Sequence, residues 1–465
     1  MGKYEYDLVC IGSGPAGQRA AVQAAKLKKK VAVIERQRWA GGVCVDRGTI
    51  PSKTFREAVI AYTGYGRRFH IRSRRSVLDH VASEKIFKEV LKVVRNESRI
   101  IESQLHRNRV ELKRGVASLD GLHAVKVASQ YGSSVITCDK ILIACGSKPA
   151  LYPGGDLDRD ILVTSDDMPF LPEMPRTMTV IGGGVIGIEY ASIFAALGID
   201  VTLVDRRHRP LDFLDREIVD ELKHQMREMN VTFLQKESVE RIETGRGAAK
   251  RGTVHLQSGK SVSSDIVLYS IGRIGATGDL ELGKVGLRTD DLGRIKVNKY
   301  FQTEVPDIYA AGDVIGFPSL AATSSEQGRL AARHAFLGDT GGMSEFFPSG
   351  IYSIPEISMV GKPEHELETM DISFETGIAR YSEIARGQIL GDDSGLLKML
   401  FDRETKRLLG VHAIGTGATE LIHIGQAVLR FGGGLDYFLQ TVFNYPTLAE
   451  CYKVAAWNAE NKLNP

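Results

Sequence analysis

Four residues near the start of the chain, Gly12, Gly14, Gly17 and Glu35, return 170 positions later as Gly182, Gly184, Gly187 and Asp205. Glycines spaced G-x-G-x-x-G, with an acid further on, bring a dinucleotide pyrophosphate to backbone N–H groups and a carboxylate to a ribose diol. The first glycine permits a tight turn, the second lets the backbone approach phosphates at the positive end of a helix, and the third admits close helix-to-strand contact. One such pattern is weak evidence in a chain with 49 glycines. Two copies in register imply one bound dinucleotide and one that exchanges, the arrangement of a flavoprotein using a nicotinamide nucleotide.

The elements that must position these residues are legible around them. "YDLVCIGSGPAGQRAAVQAAKLKKKVAVIER" and "MTVIGGGVIGIEYASIFAALGIDVTLVDRR" both read strand, glycine turn, small-residue helix, strand. Such units build parallel sheets covered by helices. At 465 residues the chain exceeds a single core and should divide into three or four units. Sixty basic against 57 acidic side chains leave a net charge of +3, too even to imply a nucleic-acid or membrane partner. The cluster Arg67, Arg68, Arg72, Arg74 and Arg75 reads as a solvated face. No run approaches the roughly 18 apolar residues of a membrane span, and a first strand near Tyr6 precedes any room for a leader, so a cytoplasmic location is expected. Cys10, Cys44, Cys138, Cys145 and Cys451 form neither CxxC pairs nor zinc spacing, so neither structural disulfides nor a metal is expected.

The segment "VPDIYAAGDVIGFPSLAATSSEQGRLAARHA" resembles the second FAD-binding motif of the flavoprotein disulfide reductase family. That resemblance implies FAD in the first nucleotide unit, with Asp313 at the ribityl chain and pyrophosphate. "ILIACGSKP", with Gly146, then closes the first unit, and Cys145 stands where the family usually has Thr. "IVLYSIGRIG", with Gly272 and Arg273, closes the second. "LGVHAIGTGATELIHIGQAVLRFG" is similar to the family's interface domain and implies a homodimer, possibly a higher oligomer. The fold class expected is α/β: two Rossmann-like dinucleotide-binding domains, for FAD and NAD(P), plus an α+β C-terminal dimerisation domain. The expected division is 1–150 for FAD, 151–275 for NAD(P), 276–345 returning to the FAD site, and 346–465 for dimerisation. "TGRGAAKRGT" reads as hairpin or loop.

Within "GGVCVDRGTIPSK" the family carries Cys-x4-Cys before Ile-Pro-Ser-Lys, whereas this chain keeps Cys44 and Ile50 to Lys53 but has Thr49 for the second cysteine. No dithiol can form there, and a hydroxyl cannot replace a thiolate in disulfide exchange. In "FNYPTLAECYKVAAWNAENKL" Tyr445 occupies the position of the family's histidine, which the partner subunit supplies as a proton donor to the thiolate; a phenol is a poor substitute near neutrality. Thr447 and Glu450 also read as a capping box without any catalytic role, and Cys44 as a buried small side chain. The hydride half remains. By the same resemblance Lys53 and Glu189 form the ion pair beside the flavin N5.

A flavin that cannot unload through sulfur must meet its acceptor directly. Asp205 suits the free 2′-hydroxyl of NAD(H), while Arg206 and Arg207 suit the 2′-phosphate of NADP(H) or simply cover a strand end. The lost thiol together with Tyr445 resembles a transhydrogenase branch of the family, which implies reversible hydride transfer between NADPH and NAD+ through FAD by a ping-pong route. An NAD(P)H oxidase or peroxidase using Cys44, and a non-catalytic nucleotide-binding subunit like lipoamide dehydrogenase, stay open.

Overall fold

The computed structural model of the chain describes residues 3–64, 83–155, 158–245, 250–338 and 341–464. The arginine cluster at positions 67 to 75 lies outside the described residues. The first strand, β1 (Tyr6–Ile11), is followed by helix α1 (Pro15–Lys26) and strand β2 (Val31–Glu35). Both strands are apolar almost throughout, as strands covered on two faces must be. Helix α2 (Thr49–Thr63) comes next, and strand β3 (Gly132–Ile143) returns to pair in parallel with β1, placing Cys10 opposite Leu142. Strands Glu111–Arg114 and Ile308–Ala310 flank this parallel core, and a hairpin over 116–129 continues the seven-stranded sheet.

The second unit repeats the pattern with β4 (Thr177–Ile181), α3 (Val185–Ala196), β5 (Asp200–Asp205) and α4 (Arg216–Glu228). Its sheet is parallel and five-stranded, with Val231–Gln235 at one edge and Ile266–Tyr269 then Leu162–Val163 at the other. Strands Val239–Thr244 and Gly252–Leu256 form an antiparallel pair; of the charge-rich stretch between them, positions 246–249 lie outside the described residues. The chain then returns through Ile308–Ala310 to the first sheet, and α5 (Ala321–Leu337) crosses α1. The approach is so close that a Cβ on Gly328 would collide with the Ala16 carbonyl.

The C-terminal unit is a five-stranded antiparallel sheet whose centre is β6 (Leu396–Asp402) paired with β7 (Leu408–Ile414). Helix α6 (Ala418–Arg430) covers β7, and α7 (Glu450–Leu463) covers the edge strand Phe374–Arg380. The interface is a dry cluster in which Leu397, Met399, Val411 and Ala413 meet Ile422, Leu429, Tyr452 and Ala455. The architecture is therefore α/β with two dinucleotide-type sheets and an α+β C-terminal unit. Among the described residues no helix is long and apolar enough to cross a membrane.

Candidate functional site

At the end of β1 the backbone of Gly12 takes φ +105°, a region closed to most side chains, and a Cβ on Gly17 would strike the Gly12 carbonyl. Gly14 stands at the N-cap of α1, which has no side-chain cap and no acid in its first turn. Its first N–H groups are thus left for an anion. Glu35 ends β2, buried, and its Oε2 accepts from Ser13 N (3.1 Å) and Ser13 Oγ (2.6 Å) while Oε1 accepts from Gln37 N (2.7 Å). Ser13 Oγ accepts in turn from Gly41 N at 2.8 Å. Ser13 was not among the residues singled out from sequence, although a hydroxyl inside a glycine turn is a visible signal.

From this turn a cavity of about 550 Å³ runs past Cys44, Thr49 and Lys53 to Gly146, Asp313, Glu189 and Tyr352. Lys53, on α2, places Nζ 2.9 and 2.8 Å from the two carboxylate oxygens of Glu189 on α3. The Glu189 side chain is 6% exposed and that of Lys53 24%. Glu189 Oε1 also accepts from Tyr352 N at 2.9 Å, and the ammonium lies 5.0 Å over the Tyr352 ring. Three units of the chain thus fix one cation at the cavity wall. The sequence joined Lys53 to Glu189 but gave no sign of Tyr352, whose partner lies 163 positions away.

Asp313 Oδ2 accepts from Ser147 Oγ at 2.9 Å, and that hydroxyl accepts from Arg273 Nε at 2.9 Å. Arg273 also pairs with Asp166 at 3.0 Å, so the cavity wall is braced against the second unit. Gly146, at φ +70°, lines the cavity. Gly272 lies outside its lining, and its carbonyl accepts from Ala150 N at 3.0 Å, joining the strand ends of the two units. Uncapped α1, the clasped Glu35 at its ribose end and a long cavity ending at a fixed ammonium fit FAD in the extended form.

Cys44, on the short helix Gly42–Asp46, lines the cavity and is half-buried, where the sequence reads it as a buried small side chain. Burial pushes its thiol up, with the Thr49 hydrogen bond only partly opposing this. All five cysteines are free. Tyr445 is exposed. The capping box expected at Thr447 does not form: its Oγ1 donates to the Asn444 carbonyl at 2.7 Å, and Ala449 precedes α7 in helical geometry, at φ −60° and ψ −21°. A capping residue needs extended backbone to turn its oxygen onto the helix. Glu450 Oε2 finds no hydrogen-bond partner among the described residues.

The second glycine turn lies outside the cavity lining, at the carboxyl end of β4 and β5. Gly182 repeats the left-handed backbone of Gly12, and a Cβ on Gly187 would strike the Gly182 carbonyl. Gly184 is the N-cap of α3, again without a side-chain cap or an acid in the first turn. Asp205, 4% exposed, is saturated: Oδ1 accepts from Arg207 N (2.8 Å) and Nε (3.2 Å), and Oδ2 accepts from Gly183 N (2.6 Å) and Arg207 Nη2 (2.9 Å). Burial works to raise the Asp205 carboxyl, but Arg207 and the Gly183 N–H outweigh it and hold it below the usual range. Arg207 also reaches Asp212 at 3.0 Å, whereas Arg206 is exposed and makes no ion pair among the described residues. The three residues expected to sort the ribose therefore come together, with Arg207 seated on the acid.

Comparison with known proteins matches residues 6–328 to the pyridine nucleotide-disulphide oxidoreductase model and residues 347–456 to the dimerisation domain of the same group. A soluble pyridine nucleotide transhydrogenase of Mycobacterium bovis is 49% identical over 462 residues, covering 99% of this chain and 98% of its own. A protein of the same name from Escherichia coli is 42% identical over 465 residues, covering 99% of both. Among solved structures, the HOCl-induced flavoprotein disulfide reductase RclA of E. coli is 25% identical with a TM-score of 0.87, covering 98% of this chain and 99% of its own. LpdA of Mycobacterium tuberculosis is 26% identical with the same TM-score, covering 97% and 99%.

Proposed function

Because the chain belongs to the pyridine nucleotide-disulphide oxidoreductase family, we propose that it catalyses reversible hydride transfer between NADPH and NAD+ by a ping-pong route. FAD, when bound, supplies the chemistry by taking a hydride from one nicotinamide and giving it to the other. The observation that carries this reading is the Lys53 and Glu189 pair in the wall of the cavity that Thr49 also lines. The hydride edge is intact where the second thiol is missing.

The roles follow from the chain's own groups. The N-terminus of α1, with Gly12, Gly14 and Gly17, receives the FAD pyrophosphate, Glu35 its ribose, and Gly146, Thr49 and Asp313 the region toward the ring. Lys53, neutralised and oriented by Glu189, offsets negative charge that develops at the flavin edge. Gly182, Gly184 and Gly187 shape the pyrophosphate site for NAD(P), and Gly272 braces its strand end. Arg206 is free to meet a 2′-phosphate. Arg207 cancels the charge of Asp205, so a phosphate is tolerated beside it, and exposes the carboxylate to a ribose diol when it swings away. Both nucleotides keep the same reacting ring, so one site serves both half-reactions.

A peroxidase based on Cys44 is disfavoured by the raised thiol, because oxidation to a sulfenic acid starts from thiolate. The match to a dimerisation domain over residues 347–456 supports a homodimer, and the cytoplasm is the location this reading assigns it. The test is anaerobic: NADPH and a spectrally distinct NAD+ analogue are mixed with the purified yellow protein. Catalytic reduction of the analogue is expected, and its absence in flavin-loaded protein would remove the proposal.

A further inference from the structure

A lysine with no exposed surface lies far from the cavity. Lys398, on β6 of the C-terminal unit, places Nζ 3.1 Å from each carboxylate oxygen of Asp215, 2.6 Å from Glu217 Oε2 and 2.9 Å from Glu364 Oε1. Asp215 and Glu217 belong to the second unit, at the start of α4, and Glu364 to the C-terminal helix Glu364–Thr369. Burial works against the ammonium, and the three carboxylates outweigh it. The partially exposed pair Arg216 and Glu368 spans the same boundary at 3.9 Å.

Asp215 has a second task. It is the N-cap of α4, its Oδ1 accepting from Glu217 N at 3.1 Å, and so it ends the loop that starts at Arg206. That loop is also tied part-way along, where Leu211 N donates to the Gly183 carbonyl at 3.1 Å. Its arginines precede that tie: Arg207 sits on Asp205 and Asp212, and its carbonyl accepts from Lys236 N at 3.2 Å, while Arg209 reaches α4 at Asp220 (3.2 Å) and at the Arg216 carbonyl (3.3 Å). Asp205, by contrast, is the last residue of β5 and is fixed by the sheet.

We infer that Lys398 is a positioning residue for nucleotide selection: from the C-terminal unit it holds the cap of α4 and through it the loop whose arginines meet a 2′-phosphate. The inference rests on the two-nucleotide reading above. Without the ammonium, the fully buried Asp215 carboxylate loses its counter-charge with two further carboxylates converging on it, and the first turn of α4 must move or take up a proton. Arg209, bonded to Asp220 and to the Arg216 carbonyl, shifts with it and carries the loop backbone that leads back to Arg206, while Asp205, with Arg207 seated on it, stays with the sheet.

The experiment uses the purified flavin-loaded protein and two probes that undergo no redox reaction, adenosine 2′,5′-bisphosphate and 5′-AMP, with binding measured by calorimetry. Lys398→Met is expected to weaken the bisphosphate roughly five- to tenfold, the scale of losing part of one charge-assisted contact, and to change 5′-AMP by less than about twofold. If that variant does not fold, Asp215→Asn serves instead: asparagine still caps a helix, so a smaller loss confined to the bisphosphate is expected. Equal losses for both probes, or none, would overturn the inference. Wild-type protein that ignores the 2′-phosphate altogether would instead overturn the reading of two nucleotide substrates.

Discussion

Replacing Arg207 with alanine separates the two nucleotides. In the wild type its guanidinium donates to both Asp205 oxygens, which otherwise accept only from the backbone N–H groups of Gly183 and of Arg207 itself. Removing it leaves a buried carboxylate facing the place where a 2′-phosphate would lie. Two like charges about 5 Å apart at an effective dielectric constant near 20 repel by about 3 kcal/mol. The Arg207 side chain is 35% exposed, so solvent and salt screen roughly half of that, leaving about 1.5 kcal/mol, or about tenfold in an equilibrium. We therefore expect kcat/KM for NADPH to fall about tenfold in Arg207→Ala, while the value for NADH holds or rises because two carboxylate oxygens gain open acceptor positions. The assay is the anaerobic initial rate of nucleotide exchange, run in each direction. Arg206→Ala is the control: it has no ion pair among the described residues to release, so it should lower the NADPH value alone. Equal losses for NADPH and NADH in Arg207→Ala would refute the reasoning, since they would mean that the arginine shapes the loop and does not screen the acid.

Lys53→Met should lower kcat with both nucleotides by about 100-fold, the scale of removing one preorganised charge at a reacting edge, with KM nearly unchanged; stopped-flow loss of flavin colour checks it. Cys44→Ser should retain exchange within about twofold, because no step calls on a thiolate; steady-state rates suffice. His412 is buried, which holds it neutral and depresses its pKa from 6.5, with Asp215 opposing and Lys398 and His365 reinforcing that shift. As pH falls below about 6.5 the unfolded chain binds this proton before the folded one, so stability is lost at up to about 1.4 kcal/mol per pH unit. His412→Gln should flatten the thermal midpoint between neutral and mildly acid pH relative to wild type.

What the sequence disclosed was local. The two glycine turns, their helices and the acids ending β2 and β5 follow from spacing alone, because one strand, one turn and one helix already fix where those residues stand. Lys53 and Glu189 were paired only through resemblance, and the Tyr352 N–H that completes them enters from another unit of the chain. Lys398 carried no signal: in "LLKMLFD" it is one lysine in an apolar run, and only the pairing of β6 against β7 and α4 shows that it faces inward. The capping pattern at Thr447 misled because the residue types were right while the backbone at Ala449 was already helical. Asp205 and Arg207 were weighed as rivals for a ligand, and their attraction for one another was not foreseen.

The two glycine turns differ in the residue that follows the first glycine. After the first glycine comes Ser13, whose hydroxyl clasps Glu35 and the Gly41 N–H; after the second comes Gly183, where a Cβ would strike the Asp205 carboxylate. One turn is stitched to its acid and to the chain beyond it, so opening it disturbs several bonds together. The other has no such hydroxyl, and its acid is held by the Gly183 N–H and by Arg207, whose side chain is half-exposed. Slow exchange is expected of an occupant of the turn that carries the hydroxyl, and fast exchange of an occupant of the turn that lacks it.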